Sequence, residues 1–427
     1  MAHFKLVSFE GGAIFLVRGL IDLERNDEEV GYEQKMMNKK GNWGVLACLV
    51  LLVGISAGET EQEDKSYPTF SWKHVPLYMH MRKSTEFTAE ELSYLARFPL
   101  ITIEKTTGSR TYGSTEIGTL AAAKAIKSVN QDARILYYRN VMVNYSSYQD
   151  DVESKSILNP FLQGRKGNEE LHAGVRAIFD LSHPEVRKWW VAHCVKMVQE
   201  DAIDGLFLDG NIKALDPSYL RGQIGAEKKQ AVKEGYSLMM QLLKDEVPKD
   251  ALLIANIIRA RLTNSGLDYM PYFDGSYLEG IESEVKGMTR VEYLAKGIEA
   301  VQKSARQGKI ICMSIGLGDA VDEGLKIDDK RKKLVKNDDV QARFEYCLAL
   351  FLICAEKYSY FLPHDGYNVN EGGSAVWLKR FPEYDKPLGP PKGMAIQKGE
   401  IYTREFESAR VFLDIEKGIG KVTWKVN

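Results

Sequence analysis

Eight short apolar runs recur along this 427-residue chain, with helical patterns between most of them, and no other feature narrows its fold so far. They are "VPLYMH" (75–80), "LITIE" (100–104), "ARILYYRNVMVNY" (133–145), "GLFLDG" (205–210), "LLIANI" (252–257), "GSYLEG" (275–280), "KIICMSIG" (309–316) and "YSYFLPHD" (358–365). Each reads as a strand. The intervening patterns include "TAEELSYLARF" (88–98), "EIGTLAAAKAIKSVN" (116–130), "EGYSLMMQLLKDEV" (234–247), "RVEYLAKGIEAVQKSARQ" (290–307) and "DDVQARFEYCLALFLICAE" (338–356). Capping boxes are expected at Thr88 with Glu91 and at Ser182 with Glu185, the second opening the helix "DLSHPEVRKWWVAHCVKMVQE" (180–200) with Pro184 in its first turn. Repeated βα units predict a parallel sheet, and eight of them predict an α/β fold closed as a (β/α)8 TIM barrel over residues 70–383. A doubly wound open sheet is the competitor, but no G-x-G-x-x-G follows the first strand. The polar stretch "NPFLQGRKGNEE" reads as a loop insertion.

Both ends change character. "YDKPLGPPKG" (384–393) is a Pro/Gly linker, and "IYTREF", "ARVFLDI" and "GKVTWKV" alternate as three short strands, so residues 384–427 predict a linker and a small antiparallel β appendage. Near the start, Lys39 and Lys40 precede the apolar run Val45–Ile55 and then Ser56, Ala57 and Gly58, the order of a secretory signal peptide. That run is short for a membrane span. Residues 1–57 are therefore expected to be an upstream mis-start followed by a signal peptide beginning at Met36 or Met37, and the mature protein to be secreted or periplasmic. The net charge of −2 gives no electrostatic argument for nucleic acid or for an anionic membrane surface. Cys194, Cys312, Cys347 and Cys354 have no metal-ligand or disulfide-framework spacing and read as small buried hydrophobes. No His/Asp spacing suggests a metal, and no cofactor is expected.

Chemistry in such a barrel gathers at the C-terminal ends of the strands. "GLFLDG" and "GSYLEG" end their strands in Asp209 and Glu279, each followed by a glycine that leaves room for a ligand. Two strands apart means about 10 Å at the Cα atoms, from which side chains could bring the carboxyls to about 5–6 Å. Retaining glycosidases hold theirs about 5–5.5 Å apart and inverting ones about 6.5–9.5 Å, so the pair leans towards retention. Asp209 near Asn211 suits the ionised nucleophile, and Glu279 the acid/base. Substrate-binding candidates at or near strand ends are Tyr78, His80, Glu104, Tyr138, Arg139, Asn140, Asn211, Asn256, His364 and Asp365. Of these, Tyr78 and Tyr138 also suit the core, Glu104 a salt bridge near Lys105, and the two histidines backbone hydrogen bonds. His183 and His193 sit on the helix, away from the strand ends.

"FDLSHPEVRKWW…DAIDGLFLDGN" and the tail "YDKPLGPPKG…YTREFESARVFLDI" resemble the glycosyl-hydrolase-like family 15 barrels over roughly residues 70–427. That resemblance implies a barrel acting on polysaccharide. An Asp on strand four with an acid on strand six is also similar, by position alone, to the retaining α-glycosidases of clan D and the family 66 dextranases. In those the first acid is the nucleophile and the second the acid/base. The expected partner is a carbohydrate. Two other classes remain open at this point: a non-catalytic carbohydrate-binding barrel, and another barrel enzyme acting on polysaccharide, such as a lyase or deacetylase.

Overall fold

The computed structural model describes residues 67–167, 170–283, 285–317 and 337–425, so the expectations for residues 1–57 lie outside the described residues. Eight parallel strands follow one another around a single sheet: β1 (Met79–Met81), β2 (Leu100–Ile103), β3 (Arg134–Asn140), β4 (Gly205–Asp209), β5 (Leu252–Asn256), β6 (Gly275–Leu278), β7 (Ile310–Gly316) and β8 (Ser359–His364). Parallel bridges Leu77–Phe361 and Arg82–Asn368 join β8 back to the first strand, and Tyr78 N donates to Phe361 O at 3.0 Å. The sheet is thus a barrel, as the run pattern predicts. β2, β5 and β6 are buried at every residue, as expected where helices cover one face and a packed barrel interior the other.

β3 ends at Asn140, short of the apolar run that extends to Tyr145. The Asn140 carboxamide oxygen accepts from Met142 N at 3.0 Å and Val143 N at 2.8 Å, folding the chain into a side-chain-closed turn. The insertion that follows carries a helical turn at Gln149–Glu153 and a small ribbon pairing His172–Ala173 with Arg176–Ala177.

The main helices are α1 (Ala89–Leu95), α2 (Thr115–Val129), α3 (Pro184–Val198), α4 (Ala226–Glu246), α5 (Arg290–Arg306) and α6 (Asn337–Cys354). The Thr88–Glu91 capping box forms. The Ser182–Glu185 box does not. Ser182 Oγ instead donates to Asp180 Oδ1 at 2.6 Å, and His183 Nδ1 caps α3 by accepting from Glu185 N at 3.2 Å. Ser182 Oγ is turned to charged partners instead of the Glu185 N–H: it donates to the Asp180 carboxylate and accepts from Lys228 Nζ at 2.7 Å, which also holds Asp180 at 2.5 Å. α4 starts two turns ahead of its apolar pattern, because its first turns hold mostly charged residues around buried Lys229 and Val232.

The tail forms four strands rather than three: β9 (Ile396–Lys398), β10 (Ile401–Glu405), β11 (Ala409–Asp414) and β12 (Ile419–Trp424) in antiparallel order. β9 is exposed at all three residues and so lacks an apolar signature. The sheet packs on α6 closely enough that a Cβ at Gly420 would lie 2.6 Å from Tyr346 Cα. Arg404, buried, anchors it by donating to the Leu352 carbonyl at the end of α6 at 3.2 Å and to Glu356 Oε1 at 2.8 Å. Among the described residues the four cysteines, Cys194, Cys312, Cys347 and Cys354, are buried and free.

Candidate active site

Asp209 ends β4 and Glu279 follows β6, and one amide bridges them. Asn256 Nδ2, at the end of β5, lies 3.2 Å from Asp209 Oδ1 and 3.2 Å from Glu279 Oε2. Those oxygens are therefore within twice that distance of each other. The other oxygen of Asp209 accepts from the Tyr138 hydroxyl at 2.5 Å and from Asn140 Nδ2 at 3.3 Å. Burial pulls the Asp209 carboxyl up, but Lys105, Lys213, the Tyr138 hydroxyl and the Gly210 N–H together overcome it and hold the group below the ordinary carboxylate range. Asp209 is thus ionised, in a ring of donors. Glu279 is partly exposed, its side chain 26% open to solvent, with Arg259 Nη2 at 3.5 Å.

The glycine after each acid serves the backbone. Gly210 has φ +80°, and a Cβ there would meet Asn140 Oδ1 at 2.5 Å, so the space is filled by the asparagine rather than left for a ligand. Gly280 likewise has φ +61°, with Ser283 Oγ at 2.7 Å from a Cβ position.

The remaining sequence candidates separate by strand face. Tyr138 and Asn140 point inward and touch Asp209, as does Asn256. Arg139, between them, points outward: it is 1% exposed, sits 2.6 Å from Asp151 Oδ1 and lies over the rings of Tyr148 and Trp189, away from the mouth. Asn211 is also outside the site. Fully buried, it donates to Leu208 O at 2.7 Å and accepts from the Tyr236 hydroxyl at 2.8 Å, tying α4 to β4. The polar neighbours expected of Asn211 are supplied by Tyr138, Asn140 and Asn256.

Glu104 lies beside the pair but is tied up. Arg82 Nη1 at 2.9 Å, Lys105 Nζ at 2.8 Å and His80 Nε2 at 3.3 Å surround it. Burial raises its carboxyl, and Lys105, His80 and Arg82 outweigh that, leaving it ionised and far from an acid's role. His80 is buried against Phe207, Tyr277 and Tyr367, and Tyr78 lies deeper, its hydroxyl bonded to Thr102 and to His80 Nδ1. These close the floor of the mouth. His364 accepts from Gly366 N at 3.2 Å through Nδ1, so its proton sits on Nε2, 3.1 Å from the Tyr367 hydroxyl. Burial, then His80 and Arg343, pull its pKa down to about 3. Asp365 is exposed and accepts from Ser374 Oγ and from Ala375 N at 2.8 Å, shaping the loop after β8.

Lys105, Arg259 and Tyr367 are site residues that strand-end reading missed. Lys105 directly follows "LITIE", and its Nζ lies 4.6 Å from the Tyr138 ring centroid. Arg259 follows β5 by three positions, and only the loop's path brings it to Glu279. His193, set aside as remote, meets Asp150 Oδ1 at 2.9 Å and Glu153 Oε2 at 3.8 Å on the outer side of the barrel.

Comparison with solved structures finds similar chains of low identity. The glycoside hydrolase domain of PelA from Pseudomonas aeruginosa is 13% identical, with 69% of this chain and 98% of that one covered and a TM-score of 0.39. The maltogenic α-amylase AmyB from Thermotoga neapolitana is 12% identical, with 82% and 86% covered and a TM-score of 0.43. A variant of the GH36 α-galactosidase AgaA from Geobacillus stearothermophilus is 9% identical, with a TM-score of 0.45, and this chain spans about half of it: 81% and 48% are covered. Comparison with curated proteins finds no match. The model of hypothetical glycosyl hydrolase family 15, by contrast, matches residues 127–410, from the end of α2 through the linker and into the tail sheet. With most of the barrel and both candidate acids inside that match, the chain belongs to hypothetical glycosyl hydrolase family 15.

Proposed function

We propose that the protein is a retaining glycoside hydrolase that cleaves a polysaccharide or oligosaccharide, with Asp209 as nucleophile and Glu279 as acid/base. The observation that carries this is the Asn256 amide, 3.2 Å from an oxygen of each carboxylate. Twice that distance is a ceiling on the separation of those two oxygens, which keeps the acids below the ~6.5–9.5 Å of inverting enzymes and includes the ~5–5.5 Å of retaining ones.

In the first step an Asp209 oxygen attacks the anomeric carbon while the glycosidic C–O bond breaks, and the Glu279 proton goes to the departing oxygen. Glu279, now a carboxylate, then takes a proton from water as the water oxygen displaces Asp209, which regenerates both acids. The ionised state of Asp209 suits the first role. The partial exposure of Glu279 suits a group that must meet both leaving group and water.

A polysaccharide panel, with NMR of the first-formed anomer, tests the reading. Asp209→Asn and Glu279→Gln should each lower turnover by orders of magnitude while leaving thermal unfolding nearly unchanged, and full activity in either would remove that residue from its role. Oligosaccharide binding that survives both changes, with no reducing ends released by the unaltered chain, would instead mark a non-catalytic carbohydrate-binding barrel. Secretion belongs to the same proposal, on the basic, apolar and small-residue order of residues 36–57, and N-terminal sequencing of the mature protein tests it.

A further inference from the structure

Beside the mouth, the loops after β1, β2 and β8 enclose a second cavity of about 630 Å³, within the ~300–1,000 Å³ typical of small-molecule sites. Its walls include Lys83, Arg110, Asn370, Glu371, Ser374 and Trp377. It begins one residue beyond Arg82, whose guanidinium pairs with Glu104 at 2.9 Å, and Glu104 in turn holds Lys105, the cation that faces Asp209. The cavity therefore lies on the β1 and β8 side, at the outer end of the Arg82–Glu104–Lys105 chain whose inner end faces Asp209.

The walls are braced. Gly108 N donates to Lys83 O at 2.7 Å and Arg110 N to Ser84 O at 2.8 Å, which fastens the β2 loop to the β1 loop. Asn370 Oδ1 accepts from Ser84 N at 3.1 Å and from Ser84 Oγ at 3.0 Å, which fastens the β8 loop to both. Asp365, just past the end of β8, accepts a hydrogen bond from the Ser374 hydroxyl, and Ser374 Oγ accepts from Trp377 N at 3.2 Å. A chain of hydrogen bonds thus runs from the strand end to the half-buried tryptophan.

The lining chemistry points to one ligand class. Lys83 and Glu91 form a closed pair at 2.7 Å. That leaves Arg110 as a donor and Glu371 as an acceptor, both exposed and neither in an ion pair among the described residues. With two cations and two carboxylates the lining has no net charge, which disfavours an anionic or cationic ligand. One indole, a free donor, a free acceptor and an amide match a ring with C–H faces and hydroxyl edges.

We propose that this cavity is a distal subsite holding neutral sugar units of the glycan chain whose bond is cleaved at Asp209 and Glu279. The proposal rests on the glycosidase reading above. Its consequence is dependence on chain length, because contacts made away from the reacting bond are available only to a long substrate.

Native gels containing soluble starch, dextran, pullulan, galactomannan or xylan, with alginate and chitosan as charged counterparts, test it on the full chain alongside reducing-end release. A neutral polymer should retard the wild type, and Trp377→Ala should weaken that retardation about tenfold, the upper range for losing one aromatic contact. kcat/KM on that polymer should fall in parallel, while hydrolysis of a p-nitrophenyl monosaccharide is unchanged. Arg110→Ala, at an exposed position, is the second variant should Trp377→Ala not fold, and it should act in the same direction.

Unchanged retardation in both variants, equal losses on polymer and monosaccharide, or retardation by alginate or chitosan alone would overturn the subsite. If hydrolysis persists in those cases, the glycosidase reading stands without it. Trp377-dependent retardation with no reducing ends released would support the subsite and refute the hydrolase.

Discussion

Replacing Asn256 by alanine separates the geometry of the acid pair from the stability of the barrel. Its Nδ2 is the group within 3.2 Å of both carboxylates, and its Oδ1 is buried with no hydrogen-bond partner among the described residues. The truncation therefore removes two donors from the site but also an unsatisfied acceptor from the core, and the two effects on folding oppose each other. Its backbone carbonyl, which accepts from Asn211 Nδ2 at 3.3 Å, is untouched. A hydrogen bond to a charged group contributes about 1.5–3 kcal/mol net. Both bonds here are at the long end of the usual ~2.7–3.2 Å range, so the lower figure applies to each. Losing one to both amounts to about 1.5–3 kcal/mol of positioning, or roughly ten- to hundredfold in kcat/KM at ~1.4 kcal/mol per factor of ten. Initial rates on the preferred polysaccharide read that loss, and scanning calorimetry should show a midpoint moved by a few degrees at most. A rate loss under about threefold, or a collapse of the thermal midpoint, would refute the assignment of Asn256 as the bridge.

Other changes test neighbouring parts of the molecule. Tyr138→Phe deletes the 2.5 Å bond that favours ionised Asp209, so the Asp209 pKa should rise and the acid limb of kcat/KM should move to higher pH; an unmoved limb would contradict this. Gly205→Ala would place a Cβ 2.1 Å from Leu252 O, in the backbone of β5 where nothing can rotate away, and should cost on the order of 3 kcal/mol in urea unfolding. His364 titrates near 3 in the fold against about 6.5 in the unfolded chain, so between those values the unfolded chain binds more protons and stability rises with pH. That rise should be smaller in His364→Gln, and an equal slope in the variant would place its source elsewhere.

Much of this site is visible in the sequence because strand periodicity carries it. The two-residue repeat of β3 puts Tyr138 and Asn140 on one face and Arg139 on the other, yet only contact with Asp209 shows which face is inward. Asn211 and Asn256 look alike in sequence, each polar beside a strand end. Gly210, with φ +80°, turns the chain so that Asn211 opens a helical turn and is buried against Tyr236, whereas Asn256 is still within β5 when it meets the acids. Lys105 and Arg259 lie in loops, where no periodicity fixes a direction. α4 begins in charged residues, so its apolar pattern marks only its later turns.

The two acid-bearing strands share a longer pattern that explains how both tips come to face one another. Residues 204–210 read DGLFLDG and residues 274–280 read DGSYLEG. At the base, Asp204 Oδ2 accepts from Ile135 N at 2.7 Å, and Asp274 Oδ2 accepts from Leu253 N at 2.8 Å, so each aspartate anchors its strand to the start of the preceding one. The glycine beside it admits the next strand: a Cβ at Gly205 would lie 2.1 Å from Leu252 O, and one at Gly275 2.2 Å from Ile310 O. Each acid then stands five residues above its anchor. In-register pairing joins Leu208 to Ala255 and Asn256 to Tyr277, so one step further Asp209 is level with Asn256, and Glu279 is two residues beyond the partner of Asn256. In an eight-stranded barrel of shear 8 the register slips about one residue per strand relative to the axis. Two strands therefore need an offset of two residues to return to the same height, which is the offset the sequence provides. A one-residue insertion in "GSYL" would turn the Glu279 side chain from the mouth to the helix layer, whereas a conservative change within it would not. Activity lost in the first and kept in the second, with both chains folded, is the outcome this register requires.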